Sequence, residues 1–88
     1  MANHASALKR AKQNDKRRTR NRAFRTRVRT AIKSVRQALE TKDAQAAQAA
    51  LQQAVPVIDE AAGKGVLHKK NASRKISRLA RQVHTLGA

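Results

Sequence analysis

Apolar residues recur from Phe24 onward in one pattern that is used three times. Phe24, Val28, Ala31, Ile32, Val35, Ala38 and Leu39 stand at offsets 0, 4, 7, 8, 11, 14 and 15. Ala47, Leu51, Ala54, Val55, Ile58, Ala61 and Ala62 repeat those offsets. Ala72, Ile76, Leu79, Ala80, Val83 and Leu86 repeat them again, until Gly87 breaks the series. In heptad terms these are a, d and e positions, the stripe that a helix turns toward a bundle core. No strand alternation competes with the pattern. The chain is therefore expected to be all-α, with three amphipathic helices sharing one core. Any such bundle needs a stripe on each helix, and the residue identities differ, so the recurrence is not read as an internal duplication.

The breaks between stripes are short. "ETKD" (Glu40 to Asp43) offers Thr41 and Asp43 as N-caps for the second helix. "GKG" (Gly63 to Gly65) ends that helix and turns the chain, and the third helix is expected to begin between His68 and Asn71. Short connections favour antiparallel neighbours, which gives an up-down-up bundle. Pro56 falls inside the second stripe at an outward position. It cannot donate to the carbonyl of Gln52, so a kink is expected there rather than a boundary.

Upstream of Ala23 the stripe vanishes. From Lys12 to Arg22 no apolar residue occurs, yet helix formers dominate and neither Gly nor Pro interrupts. A first helix from about Ser6 to Leu39 spans on the order of 50 Å, against about 30 Å for the other two. It should overhang the bundle by roughly five turns. The chain thus reads as one domain, with a basic overhang over residues 1–22 and a bundle over residues 23–88. Like charges one turn apart, such as Arg18 and Arg22, oppose helix formation in the overhang. Free of any anion, this region is expected to fray.

Charge changes the picture from fold to function. The 88 residues carry 21 Lys/Arg against 5 Asp/Glu, a formal charge of +16. "KRRTRNRAFRTRVR" (Lys16 to Arg29) holds eight cations in fourteen residues and no acid. The charge is also partitioned. Residues 4–36 have thirteen Lys/Arg and Asp15, net +12; residues 37–63 have Lys42 against four acids, net −3; residues 64–88 have seven Lys/Arg and no acid, net +7. A merely solubilising surface would mix its signs. The first and third helices are therefore expected to line a binding side for a polyanion, with the second turned away. Nucleic acid and an anionic membrane surface are the two partner classes this imbalance leaves.

The aromatic content is Phe24 alone, and it starts a stripe, so it reads as core. Single strands are usually gripped by stacking bases on rings, so a chain with one ring is expected to read backbone and shape instead. A membrane-active helix would pair its basic face with Trp, Phe or Leu, which residues 12–22 do not offer. The apolar runs are too short to span a bilayer, and "MANHASALKR" lacks the apolar stretch of a secretory signal. An Arg-rich transit peptide is disfavoured because the same segment runs into a core helix; the expected address is the cytosol. Cysteine is absent, His4, His68 and His84 are scattered, and Asp59 and Glu60 diverge as helix neighbours. No metal, cofactor, small-molecule substrate or catalytic constellation is expected.

The candidate contacts are accordingly cations and the polar residues between them. On the first helix they are Lys9, Arg10, Lys12, Lys16, Arg17, Arg18, Arg20, Asn21, Arg22, Arg25, Thr26, Arg29, Thr30 and Lys33. Of these, Arg25, Arg29 and Lys33, together with Arg36, lie about 100–180° from Phe24 around the helix. Toward the third helix they are Lys64, His68, Lys69, Lys70, Asn71, Arg74, Lys75, Ser77, Arg78 and Arg81. Lys and Arg neutralise phosphates, Arg with a planar fork, while Thr, Ser and Asn reach phosphate or 2′-OH. Composition and spacing alone reach a basic helical binder of RNA or DNA.

Three stretches resemble the bacterial S-twenty family of small ribosomal subunit proteins, over essentially the full length. "MANHASALKRAKQ" is similar to the family's start. "NRAFRTRVRTAIKSV" resembles its Asn-x-x-x-Arg-[Ser/Thr]-x-x-Arg-Thr-x-Ile-Lys segment. "KGVLHKKNASRKISRLARQV" is similar to its Lys-Gly-x-[Ile/Val]-His-Lys-Asn…Arg…Ser-Arg-Leu signature, and Pro56 stands where the family commonly has proline. Leu67 departs from the usual β-branched residue, and Asn71 stands one place late. The resemblance implies a three-helix bundle with a long first helix, bound as a monomer to small-subunit ribosomal RNA. It implies a place in the lower body, bridging the 5′ domain and the long penultimate RNA helix to support assembly. Arg25, Thr26, Arg29, Thr30, Lys33, His68, Lys69, Arg74, Ser77 and Arg78 fall in the matching motifs. A nucleoid-type, sequence-nonspecific DNA binder is the alternative, although no short helix-turn-helix or apolar wedge is evident.

Overall fold

A computed structural model describes residues 2–87, with side-chain surroundings from Ala5 onward, so the side chain of His4 lies outside the described residues. The described residues form three helices: α1 (Ala2–Glu40), α2 (Ala44–Gly63) and α3 (Lys69–Gly87). Every member of the three apolar stripes is buried or half-buried. Val35 and Ile58 are the largest side chains sealed completely, and alanines fill much of the remaining core. Small residues at these contacts let the helices approach closely but bury little apolar area each. The core is thin, as expected for a chain of this length.

The turns are built by backbone chemistry at two positions. Lys42 takes a left-handed φ of 57°. Its N–H donates to Leu39 O at 3.1 Å and that of Asp43 donates to Ala38 O at 3.2 Å, the paired bonds of a Schellman ending. Gly65, with φ 77°, closes α2 in the same way. Its N–H reaches Ala62 O at 3.1 Å, while Val66 N–H reaches Ala61 O at 2.9 Å. Asp43 is the N-cap of α2, its carboxylate accepting from Ala46 N–H at 3.1 Å. Thr41, the other candidate, instead donates its hydroxyl to Ala38 O at 3.0 Å and helps to finish α1. α2 continues through the exposed Pro56, which is not a boundary.

α1 and α3 barely touch each other; each rests mainly on α2. Along their seam the lining residues rise together. Arg25–Arg36 lie with Leu67 and Lys75 at one end, and Arg36–Glu40 with Arg81–Leu86 at the other. α1 and α3 therefore run parallel, and α2, joined to both by short turns, returns between them. The result is the up-down-up order expected from the stripes.

α1 begins at Ala2, a turn earlier than expected, because nothing in "ANHAS" breaks a helix. At 39 residues it is about 58 Å long. Every residue from Ala5 to Arg20 is exposed, and the first buried side chain is Phe24. The molecule measures 67 × 21 × 14 Å. Its radius of gyration is 17.7 Å, against about 12 Å for a compact chain of this size. The excess is the overhanging helix.

Candidate nucleic-acid interface

Because α1 and α3 meet only lightly, an open groove separates them, floored by the flank of the core and rimmed by cations from both helices. Its first depression, about 450 Å³, is lined by Arg25, Val28, Arg29, Ile32, Lys33, Arg36, Leu67 and Lys75. A smaller one of about 210 Å³ follows, between Ile32 and Arg36 on one side and Lys75, Arg78, Leu79 and Gln82 on the other. A third, about 520 Å³, ends the seam at Arg36, Leu39, Glu40, Arg81, Gln82, Thr85 and Leu86. Helical spacing explains the banks. Arg25, Arg29, Lys33 and Arg36 follow one another at four- and three-residue steps, and Lys75, Arg78 and Arg81 at three-residue steps.

The structure thus brings Arg25, Arg29, Lys33, Lys75, Arg78 and Arg81 to one groove. Arg36, absent from the expected contacts, borders all three depressions. Its outward angle was legible beside Arg29 and Lys33, but the matching family segment ends at Lys33. The other cations surround rather than line the groove. Lys9, Arg10, Lys12, Lys16, Arg17, Arg18, Arg20 and Arg22 are exposed along the overhang. Lys64 caps the end of α2, while Lys69, Lys70, Asn71, Arg74 and Ser77 are exposed on the first turns of α3.

Several polar residues are engaged by the protein itself. Thr19 and Thr26 donate their hydroxyls to Asp15 O and Arg22 O, at 2.9 and 3.0 Å. A hydroxyl committed this way offers only lone pairs, so it can accept from a 2′-OH but not donate to a phosphate. Thr26 and Thr30 also line a crevice on the α2 side of α1, away from the groove. Arg27 lies over the Phe24 ring, its guanidinium carbon 5.4 Å from the centroid, in a cation–π contact that closes the end of the core. His68 is the residue before α3, and its Nδ1 accepts from Lys70 N–H at 3.2 Å. That bond leaves Nε2 as the ring nitrogen free to meet a partner. Asn21 is half-buried, and its Oδ1 is buried without a donor.

Among the described residues no group of three His, Asp or Glu side chains is placed to hold a metal ion. No helix among the described residues is long and apolar enough to cross a membrane. What the arrangement offers chemically is dense, fixed positive charge on a long shaft and along a groove.

Comparison with known proteins gives a consistent result. Residues 2–84 match the family model described as ribosomal protein S20. The chain is 60% identical over 87 residues to the small ribosomal subunit protein bS20 of Trichlorobacter lovleyi, covering 99% of this chain and 100% of that one. It is 61% identical over the same coverage to bS20 of Geotalea uraniireducens. With bS20 of Oleidesulfovibrio alaskensis it shares 58% over 83 residues, 94% of this chain and 95% of the relative. Full-length identity at this level, on a sequence whose motifs and three-helix fold already pointed there, settles the assignment: the chain belongs to the ribosomal protein S20 family.

Proposed function

We propose that the chain is a structural constituent of the small ribosomal subunit that binds small-subunit ribosomal RNA directly and supports its folding and assembly. It acts in the cytoplasm, on the ribosome, as one copy per particle, and it catalyses nothing. The observation that carries this reading is the separation of charge. The basic shaft and the α1–α3 groove hold fifteen of the 21 Lys/Arg, while Asp43, Asp59 and Glu60 lie on or beside α2 and α1 carries only Asp15 and Glu40.

Phosphates condense counterions, and each one neutralised by Lys or Arg releases them, so a set of cations is rewarded even where single contacts are weak. The shaft presents charge on every side and has no protein partner, which suits a segment enclosed by RNA. Arg25, Arg29, Lys33, Lys75, Arg78 and Arg81 would hold backbone along the groove, joined by Arg36. Lys64, His68, Lys69, Lys70, Asn71 and Arg74 would extend the surface around the start of α3. Thr26, Thr30 and Ser77 would serve at its edges, where 2′-hydroxyls can donate to them.

The test is co-sedimentation. The protein should travel with small ribosomal subunits through a gradient at physiological salt and be stripped by roughly molar salt, as counterion release requires. Retention at high salt, or absence from the particle at low salt, would contradict the reading.

A further inference from the structure

Phosphate binding accounts for the cations of the groove but not for its floor. In the first depression Val28, Ile32 and Leu67 form an apolar base beneath Arg25, Arg29 and Lys75, with no acid in the lining. Phosphates alone would leave that base wetted. The occupant that matches it has one anionic and one flat apolar part. We propose that this depression is a socket for a single unpaired nucleotide of the ribosomal RNA. The base and ribose lie on Val28, Ile32 and Leu67, and the adjoining phosphate is held between Arg29 and Lys75.

Size and shape select this occupant. About 450 Å³ is room for one nucleotide, and the next depression along the seam, beside Arg36, is smaller at about 210 Å³. Separate depressions of this size suit a discrete lobe rather than a continuous partner helix. Guanidinium planes stack on bases, so Arg25 and Arg29 can cover the inserted ring in place of the aromatic side chains the protein lacks. One turn before Arg25, the buried and unpartnered Oδ1 of Asn21 is an unmet acceptor. Turned outward, it can take a base amine or ribose hydroxyl of the RNA beyond Arg25. The inference rests on the RNA-binding reading and adds that the groove recognises an unpaired, extruded nucleotide rather than a regular duplex.

The experiment compares two RNA hairpins with the same stem, using the full-length protein. One carries a single bulged 2-aminopurine nucleotide; the other carries 2-aminopurine paired within the stem. The bulged hairpin should bind about tenfold more tightly, the factor expected from burying roughly 60 Å² of apolar base and ribose surface. Its fluorescence should change on binding. Leu67→Ala should bring the preference to about twofold or less, with helicity checked by circular dichroism. If that variant does not fold, Lys75→Gln, at an exposed position, serves instead and should weaken the bulged hairpin more than the paired one. Equal binding of both RNAs by the unaltered protein, with no change in emission, overturns the socket alone. RNA hairpins that bind no better than DNA hairpins of the same sequence would overturn the RNA reading beneath it.

Discussion

At the residue scale, two positions show local chemistry deciding how the basic surface is held. His68 does the work usually given to Ser, Thr, Asp or Asn, accepting a first-turn N–H of α3 through its ring nitrogen. His68→Ala should therefore cost about 1 kcal/mol of stability, measured by chemical denaturation, and His68→Asn should recover most of it. Equal stability of the Ala variant would show that the cap contributes nothing. Lys42 sits at a left-handed φ of 57° that favours glycine, at the end of α1. Lys42→Gly should raise stability by roughly 0.5–1 kcal/mol, since a side chain is disfavoured there by about that margin over its gain in chain stiffness. Neither role was legible beforehand. For His68 the sequence places only the start of α3 nearby, because a cap depends on a rotamer that spacing does not specify. Lys42 carries no sequence signal of a left-handed turn, whereas Gly65, at the equivalent place after α2, does.

At the element scale, the stripes were legible almost completely, because a helix packed along its length on a neighbour must repeat its apolar positions. All the stripe residues are buried or half-buried, and Phe24 is core as expected. The overhang was legible too, from the same rule in reverse: the stripe ends at Phe24 and the packing ends with it. The groove was not. It depends on how far α1 and α3 stand apart over α2, a relation between helices that no single helix encodes.

The shaft's energetics yield a further prediction. Ala5 to Arg20 bury no side chain, and Leu8, the one large apolar side chain there, is 59% exposed. Only intrinsic propensity holds this helix, against repulsion between cations one turn apart. In circular dichroism at low salt the free protein should fall short of full helicity by roughly one fifth, the share of the chain in the shaft, and recover it on adding ribosomal RNA. Deleting residues 1–22 should leave the unfolding midpoint of the bundle nearly unchanged. Full helicity in the free protein, unaltered by RNA, would show that the shaft is stable without its partner.

At the scale of the whole molecule, the fold is a device for presenting charge. α2 and its cap carry Asp43, Asp59 and Glu60, and α2 packs on both other helices, so α1 and α3 are left with a projecting shaft and one open seam whose lining holds a single acid, Glu40. A protein of this shape, 67 Å long and 14 Å thick, exposes far more basic surface than a compact bundle of equal mass. The measurement that tests the account most directly is the affinity for folded small-subunit ribosomal RNA against DNA of equal length, followed over a series of salt concentrations. The account predicts tighter binding to the RNA at physiological salt and a steep inverse dependence on salt. It also predicts that Arg29→Ala reduces the slope by about one without loss of helicity. Equal affinity for the two polymers, or an Arg29→Ala variant with an unchanged slope, would contradict it.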